Sequence, residues 1–334
     1  MRVGRRWIRA VLGLVVAGVF VALLARRVDW TEVRAVLAQA DPWPLALALA
    51  ALAADMTARI VRWWWMLRAA APDLPLRSCV RPFLGSLALN NTVPLRAGDV
   101  VRVVGFRQAL QAPMAHVGGT LVLERLLDLL VLLAILFAAL AGAPGALPRG
   151  FLVAAALAGA GALAALLGLT LFPGAITALA SRVLARLLPE RWVAAASRVV
   201  GQVAAALALL RSPGRAARVV GLSLLAWLLE GAVFACVAWS LHVGVAWPAR
   251  WLSLGAATLA TLLPSSPGYV GTFDWFARLG LTAYGAATAG ATAFALLTHL
   301  VLWLPVTLAG LAALVATGPA ALRGPLRSEP GVPA

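Results

Sequence analysis

Asn90-Asn91-Thr92-Val93-Pro94-Leu95-Arg96-Ala97-Gly98-Asp99 interrupts a chain that is otherwise strongly apolar. Before it, the apolar run 82–89 is too short to cross a bilayer; after it, a second short run ends near Phe106. One helical crossing takes about 20 apolar residues. Two short helices about a polar break with Pro and Gly describe a re-entrant hairpin over 78–108. Such broken backbone persists at membrane depth only where protein or water covers it. A single kinked span with a few polar residues is the alternative.

The pattern recurs. The short apolar run 251–263 meets Pro264-Ser265-Ser266-Pro267-Gly268-Tyr269-Val270-Gly271, and a second short run follows with Asp274 and Arg278. This predicts a second re-entrant hairpin over 250–286. Around the two hairpins, full spans are expected at about 8–26, 43–68, 118–141, 151–172, 219–243 and 288–316. The expected fold is therefore an all-α polytopic membrane protein, a single transmembrane domain over 1–334 with about six full transmembrane helices and two re-entrant helical hairpins.

Composition agrees with that class. The chain is 63% hydrophobic and 12% charged, against about 45–50% and 25% in soluble domains. So few charges cannot coat a globular surface, but the surface they leave can face lipid. Lys+Arg number 28 against 12 Asp+Glu, a net charge of +16, and every one of these cations is arginine. This favours contact with anionic headgroups. Nucleic acid is not expected as a partner, because the arginines lie among apolar spans with no basic aromatic platform. Cys79 and Cys236 lie far apart, with no metal-ligand or redox spacing. His116, His242 and His299 are isolated in sequence. No cofactor or metal is expected.

Topology follows from the arginines. Arg2, Arg5, Arg6 and Arg9 precede the apolar run 10–25, with Arg26-Arg27 after it and no clear A-x-A cleavage site. This reads as an uncleaved span with a cytoplasmic N-terminus in the inner membrane. The basic stretch 173–218 reads as amphipathic helices on the cytoplasmic face, and the tail returns to the cytoplasm. In this layout 43–141 and 219–316 run in opposite senses, as the inverted repeats of transporters do.

A charge at the bilayer centre costs about 2.5–3.5 kcal/mol on insertion scales, yet the spans keep several. Arg59 and Arg62 share a helix face, and two guanidinium forks suit a phosphate. Arg62, beside the Trp63-Trp64-Trp65 belt, is instead expected to snorkel to the interface. Glu124 and Asp128 share a face, with Arg125 turned away, and are expected to pair with Arg96 or Arg102. Local pairs are expected between Asp99 and Arg102 and between Asp274 and Arg278. Asp55 and Glu230 stand as lone acids, either proton-coupling sites or buried neutral carboxyls. Gly98, Gly268 and Gly271 permit unusual backbone. Pro94, Pro264 and Pro267 end helices, and the helix starts that follow can bind an anionic headgroup.

Four motifs occur in order: Arg59-x-x-Arg62-Trp63; Asn91-x-x-Pro94-x-Arg96-x-Gly98-Asp99-x-x-Arg102; Glu124-Arg125-x-x-Asp128; and Pro264-x-Ser266-Pro267-Gly268-x-x-Gly271. Together they resemble the transmembrane region of lysylphosphatidylglycerol synthase, the flippase half of multiple peptide resistance factors, over about 8–316. Family members often carry Glu where this chain has Asp99 and Asp274, a change that keeps the charge. The resemblance implies lipid translocation, with these motif residues and Asp274 on the substrate path. No aminoacyl-transferase domain is expected after the last span, so lipid aminoacylation is not expected, and neither is an enzyme. Membrane lipids with anionic or phosphate-bearing headgroups are the expected partners. A non-catalytic partner of a glycosyltransferase or lipid-synthesis complex is the alternative, followed by a membrane-embedded lipid-modifying enzyme.

Overall fold

The computed structural model describes residues 18–23, 25, 28–93, 96–143, 145–187, 189–262 and 266–321. Most of the expected first span lies outside these residues, as do Pro94, Pro264 and the tail beyond 321. Every regular element among the described residues is helical.

Helix α1 (Trp30–Ala38) starts where Asp29 Oδ1 accepts from the Thr31 and Glu32 amides at 2.8 and 3.3 Å. This satisfies donors that a helix start leaves free. Helix α2 (Pro42–Leu67) opens with proline at its first turn, where no amide donor is needed. The first broken pair is α3 (Arg77–Thr92) and α4 (Ala97–Val104). Asn90 and Asn91 thus complete a helix rather than interrupt it, and the break begins at Val93. Short α5 (Arg107–Leu110) leads into α6 (Met114–Leu140). Then come α7 (Arg149–Leu171), α8 (Pro173–Leu187), α9 (Glu190–Leu207) and α10 (Pro213–Ser240). The second broken pair is α11 (Trp247–Ala260) and α12 (Thr272–Thr282), and α13 (Thr288–Ala321) closes the described chain.

Among the described residues, four stretches are long and apolar enough to cross a membrane: Pro42–Leu67, Arg149–Leu171, Pro213–Ser240 and Thr288–Ala316. Helix α6, with 27 residues, is about 40 Å long at ~1.5 Å per residue. It has the length to cross but also carries Glu124, Arg125 and Asp128. The chain is an all-α, multi-pass membrane protein. Its outer surface carries exposed Leu157, Leu171, Leu228 and Val315, apolar groups that lipid rather than water would cover.

The packing is reciprocal. Helices α2 and α10 lie antiparallel: Asp41 at the start of α2 meets Ser240 at the end of α10, and Arg62 meets Ser223 farther in. Helix α3 packs on α13, and α11 on α6. Each broken pair therefore leans on the final helix of the other half. Inside each pair a glycine allows the arms to touch: a methyl at Gly98 would strike the Ser86 carbonyl, and one at Gly280 the Ser253 backbone.

The 173–218 stretch does more than cover a face. Val203, Ala204 and Leu207 of α9 join Met66, Leu123, Leu127 and Val219 in one buried cluster. The stretch is thereby fixed to the end of α2, the middle of α6 and the start of α10.

Candidate functional site

The acids and arginines of α2, α4, α6 and α10 form one buried network. Arg59 donates to Asp55 Oδ1 at 2.7 Å and to Glu230 Oε2 at 2.6 Å, and lies 3.8 Å from Asp128 Oδ2. Its guanidinium covers the Trp227 ring at 4.5 Å. One turn on, Arg62 is wholly buried. Its Nη1 donates to Asp128 Oδ1 at 2.6 Å and to Ser223 Oγ at 2.8 Å, and its Nη2 lies 3.8 Å from Glu124 Oε1. The Trp227 indole also donates to Asp128, at 3.2 Å.

Arg102 extends the network from the first broken pair. It donates to Ser86 Oγ at 2.8 Å and to Glu124 Oε2 at 3.4 Å, and stacks over Phe83 at 4.4 Å and Trp63 at 5.0 Å. Asp99 receives Asn90 Nδ2 at 2.8 Å and Arg125 Nη2 at 3.3 Å, while the Asp99 amide donates back to Asn90 Oδ1 at 3.2 Å. Arg96 begins α4 in the left-handed region, at φ 51°. It makes no hydrogen bond or ion pair with the described residues.

These groups wall a cavity of about 560 Å³. Asp55, Arg59, Arg96, Asp99, Arg125 and Glu230 reach it, among apolar residues of α2, α3, α6, α10, α11 and α13. Buried polar atoms at its wall lack partners: Asp55 Oδ2, Arg125 Nε and Thr258 Oγ1. Unmade hydrogen bonds inside a protein are expensive, so an incoming polar ligand would find strong contacts ready.

The second break lies against the first. Asn91 Nδ2 donates to Thr307 Oγ1 on α13 at 2.8 Å. Gly268, at φ 71°, sits so close that an added Cβ would lie 3.4 Å from the Asn91 carbonyl and 2.8 Å from Trp303 Nε1. Asp274 Oδ2 accepts from the Gly271 amide at 2.8 Å, capping α12. His299 bridges Asp274 Oδ1 and the Gly268 carbonyl, each at 2.8 Å.

The predicted residues thus fall into two adjoining groups. Arg59, Arg62, Arg96, Gly98, Asp99, Arg102, Glu124, Arg125 and Asp128 meet at or beside the cavity, and Asn91 joins them at its edge. Ser266, Pro267, Gly268, Gly271 and Asp274 form the second break, while Pro94 lies outside the described residues. Several expected partners change. Arg62 does not snorkel to an interface but is buried, as is Trp63, whose indole donates to Thr120 at 3.2 Å. Glu124 does pair with Arg102 as expected, but Asp128 pairs with Arg62 and Arg59, and Asp99 takes Arg125, on another face of α6, in place of Arg102. Asp274 binds His299. Asp55 and Glu230 are not lone acids, since both hold Arg59.

Sequence reading missed Ser86, Asn90, Ser223, Trp227, His299 and Thr307. Single polar residues in apolar helices were the available signal, but their partners lie far along the chain. Among the described residues no group of three or more His, Cys, Asp and Glu side chains is placed to hold a metal ion.

A family model described as the lysylphosphatidylglycerol synthase TM region matches residues 10–310. No curated protein matches the chain.

Proposed function

The chain belongs to the lysylphosphatidylglycerol synthase TM region family, and on that footing we propose that it is a flippase moving a lipid with a phosphate-bearing headgroup between leaflets. It performs no covalent chemistry on the lipid. It resides in the inner membrane with both termini in the cytoplasm. The two broken pairs act as re-entrant hairpins of an inverted repeat, reaching the midplane from opposite sides.

The observation that carries this reading is the charged cavity where the two halves meet. Its walls and second layer hold five arginines (Arg59, Arg62, Arg96, Arg102 and Arg125) and five acids (Asp55, Asp99, Glu124, Asp128 and Glu230). A headgroup crossing hydrocarbon alone would lose its hydration with nothing in return. Here it finds guanidinium groups, most of them already oriented by carboxylates. Arg96, outside the ion pairs, makes first contact, and Arg125 follows by exchanging Asp99 for phosphate. The planar fork of arginine matches phosphate oxygens in two bonds at once.

A second feature suits the acyl chains. An almost wholly apolar groove of about 750 Å³ runs between α6 and α10, lined by Leu127, Val131, Leu224, Leu228 and Trp251. Trp227 lines both this groove and the cavity. A lipid with its headgroup in one and a chain in the other would straddle this single side chain.

The test is lipid flipping in proteoliposomes loaded with fluorescent anionic, aminoacylated and polyprenyl-phosphate lipids in one leaflet. Loss of protection from an external quencher reports transfer. Wild-type protein is expected to flip one class, and Arg96→Ala and Asp99→Asn to reduce that rate at least tenfold. Folded wild-type protein that flips no lipid, with or without a proton gradient, overturns the reading and favours a scaffold for a lipid-synthesis complex. Chemically altered lipid would favour an enzyme.

A further inference from the structure

We propose that His299 and Asp274 together form a proton-binding site, and that the bound proton ties the 268–271 turn of the second break to α13. His299 Nδ1 faces Asp274 Oδ1 at 2.8 Å, and Nε2 faces the Gly268 carbonyl oxygen at 2.8 Å. A carbonyl oxygen can only accept, and so can an ionised carboxylate, whereas a neutral imidazole has one N–H to give. Both contacts hold only if the pair carries one proton more than neutral histidine plus carboxylate. That proton sits on the imidazole or on Asp274 Oδ1, and in either case the pair is neutral overall.

Loss of the proton changes the turn. The pair becomes an anion, and one nitrogen lone pair must face an oxygen lone pair. The Nδ1–H bond to Asp274 is charge-assisted and survives. The Gly268 carbonyl is then released. Gly268 is buried, in a positive-φ conformation, and the other oxygen of Asp274 holds the Gly271 amide at 2.8 Å. The proton therefore closes a loop from α13 through Asp274 and Gly271 and back to Gly268.

The loop's position gives the proton leverage on both breaks. His299, Trp303 and Thr307 are spaced four apart and form one stripe on α13. His299 holds the second break, Trp303 lies against Gly268, and Thr307 receives Asn91 from the end of the first. Release of Gly268 thus loosens the contact at which the two breaks meet, beside the cavity.

Among the described residues, Asp274 is the ionisable group in contact with the imidazole, and Phe273 packs against the ring at 4.9 Å. Other ionisable groups lie on the elements packed against α13. Arg278 stacks over Trp275, Glu230 is held by Arg59, and Glu32 and Arg34 lie on α1. Tyr269 belongs to the turn itself, and Arg81 lies near the far end of α3.

The chain has three histidines, so ¹⁵N-histidine labelling of the full protein in nanodiscs gives few signals, and His299→Gln identifies the one sought. A spin label at Ser266→Cys, in a Cys79→Ser/Cys236→Ser background, reports the turn. The expected result is one titration of the His299 nitrogens and a rise in label mobility with the same midpoint. In His299→Gln the mobility step is lost. In Asp274→Asn the ¹⁵N signature of an imidazole paired with a carboxylate is lost; a merely structural role for Asp274 would leave it in place. Failure of His299 to titrate over the pH range in which the protein stays folded overturns the proposal, and so does a mobility step that persists in His299→Gln. Neither readout needs a transported lipid, so this site and the flippase reading stand or fall separately.

Discussion

Arg62 and Asp128, 66 positions apart in sequence, meet at 2.6 Å with the arginine wholly buried. Ser223 and Trp227 complete the contact from α10, so three helices are fixed to one another through a single ion pair. Removing one partner leaves the other charge buried and uncompensated, which typically costs about 3–5 kcal/mol. Arg62→Ala and Asp128→Ala should therefore each lower the thermal unfolding midpoint in detergent strongly. The double variant Arg62→Met/Asp128→Leu should recover much of that loss. A double variant as unstable as the sum of the two singles would show that the residues act independently.

Trp227 divides the charged cavity from the apolar groove and gives its indole hydrogen to Asp128 at 3.2 Å. Trp227→Phe keeps an aromatic face for Arg59 but drops that hydrogen bond to a charged group, a change of roughly 1.5–3 kcal/mol. Thermal unfolding should register the loss. In an Asp128→Asn background the same substitution should cost less, because the acceptor is no longer an anion.

Gly98 and Gly118 make a paired test of close packing. A methyl at Gly98 would strike the Ser86 carbonyl, whereas nothing lies within 4 Å of one at Gly118. Gly98→Ala should force the arms of the first broken pair apart and cost about 1–3 kcal/mol, as overpacking does. Gly118→Ala, inside α6, should stabilise by up to about 1 kcal/mol, since alanine is the better helix former. Equal effects in unfolding would refute the close approach of α3 and α4.

Asp29 gives a pH prediction at the start of α1. Hydrogen bonds from the Thr31 and Glu32 amides hold its carboxyl below the usual carboxylate range. A lowered folded value means that the cap's contribution is present above about pH 4, the unfolded value, and is lost as the pH falls through the folded one. Hydrogen exchange at the Thr31 and Glu32 amides should lose protection over that acidic range. In Asp29→Ala the amides should be unprotected throughout, with no pH step.

The re-entrant arrangement predicts which side of the membrane single cysteines see. Ser78→Cys and Ala112→Cys, flanking the first broken pair, should label from one side. Val245→Cys and Ala286→Cys, flanking the second, should label together from the other. A membrane-impermeant maleimide on oriented vesicles reads this directly, and opposite-side labelling within either pair would make that pair a full crossing.

Residue type and order alone were enough to establish a helical membrane protein and to locate both breaks. Apolar run length and Pro/Gly punctuation are local properties, and the cost of bare backbone in hydrocarbon leaves few ways to satisfy them. They also marked the residues that would gather, because a charge in an apolar span needs a reason to be there. What the sequence left open was the partner of each charge. Arg62 beside Trp63 resembles an interfacial arginine until α10 packs antiparallel to α2 and delivers Ser223 against it. The i,i+4 spacing of Asp274 and Arg278 suggests a local pair, yet α13 brings His299 to Asp274 from 25 positions away. Asp55, four positions before Arg59, and Glu230, 171 positions after it, become partners of that one arginine. Helical spacing specifies only which residues share a face. Which face meets which is decided when small residues such as Gly98 and Gly280 let the helices close and bring buried charges such as Arg62 and Asp128 together.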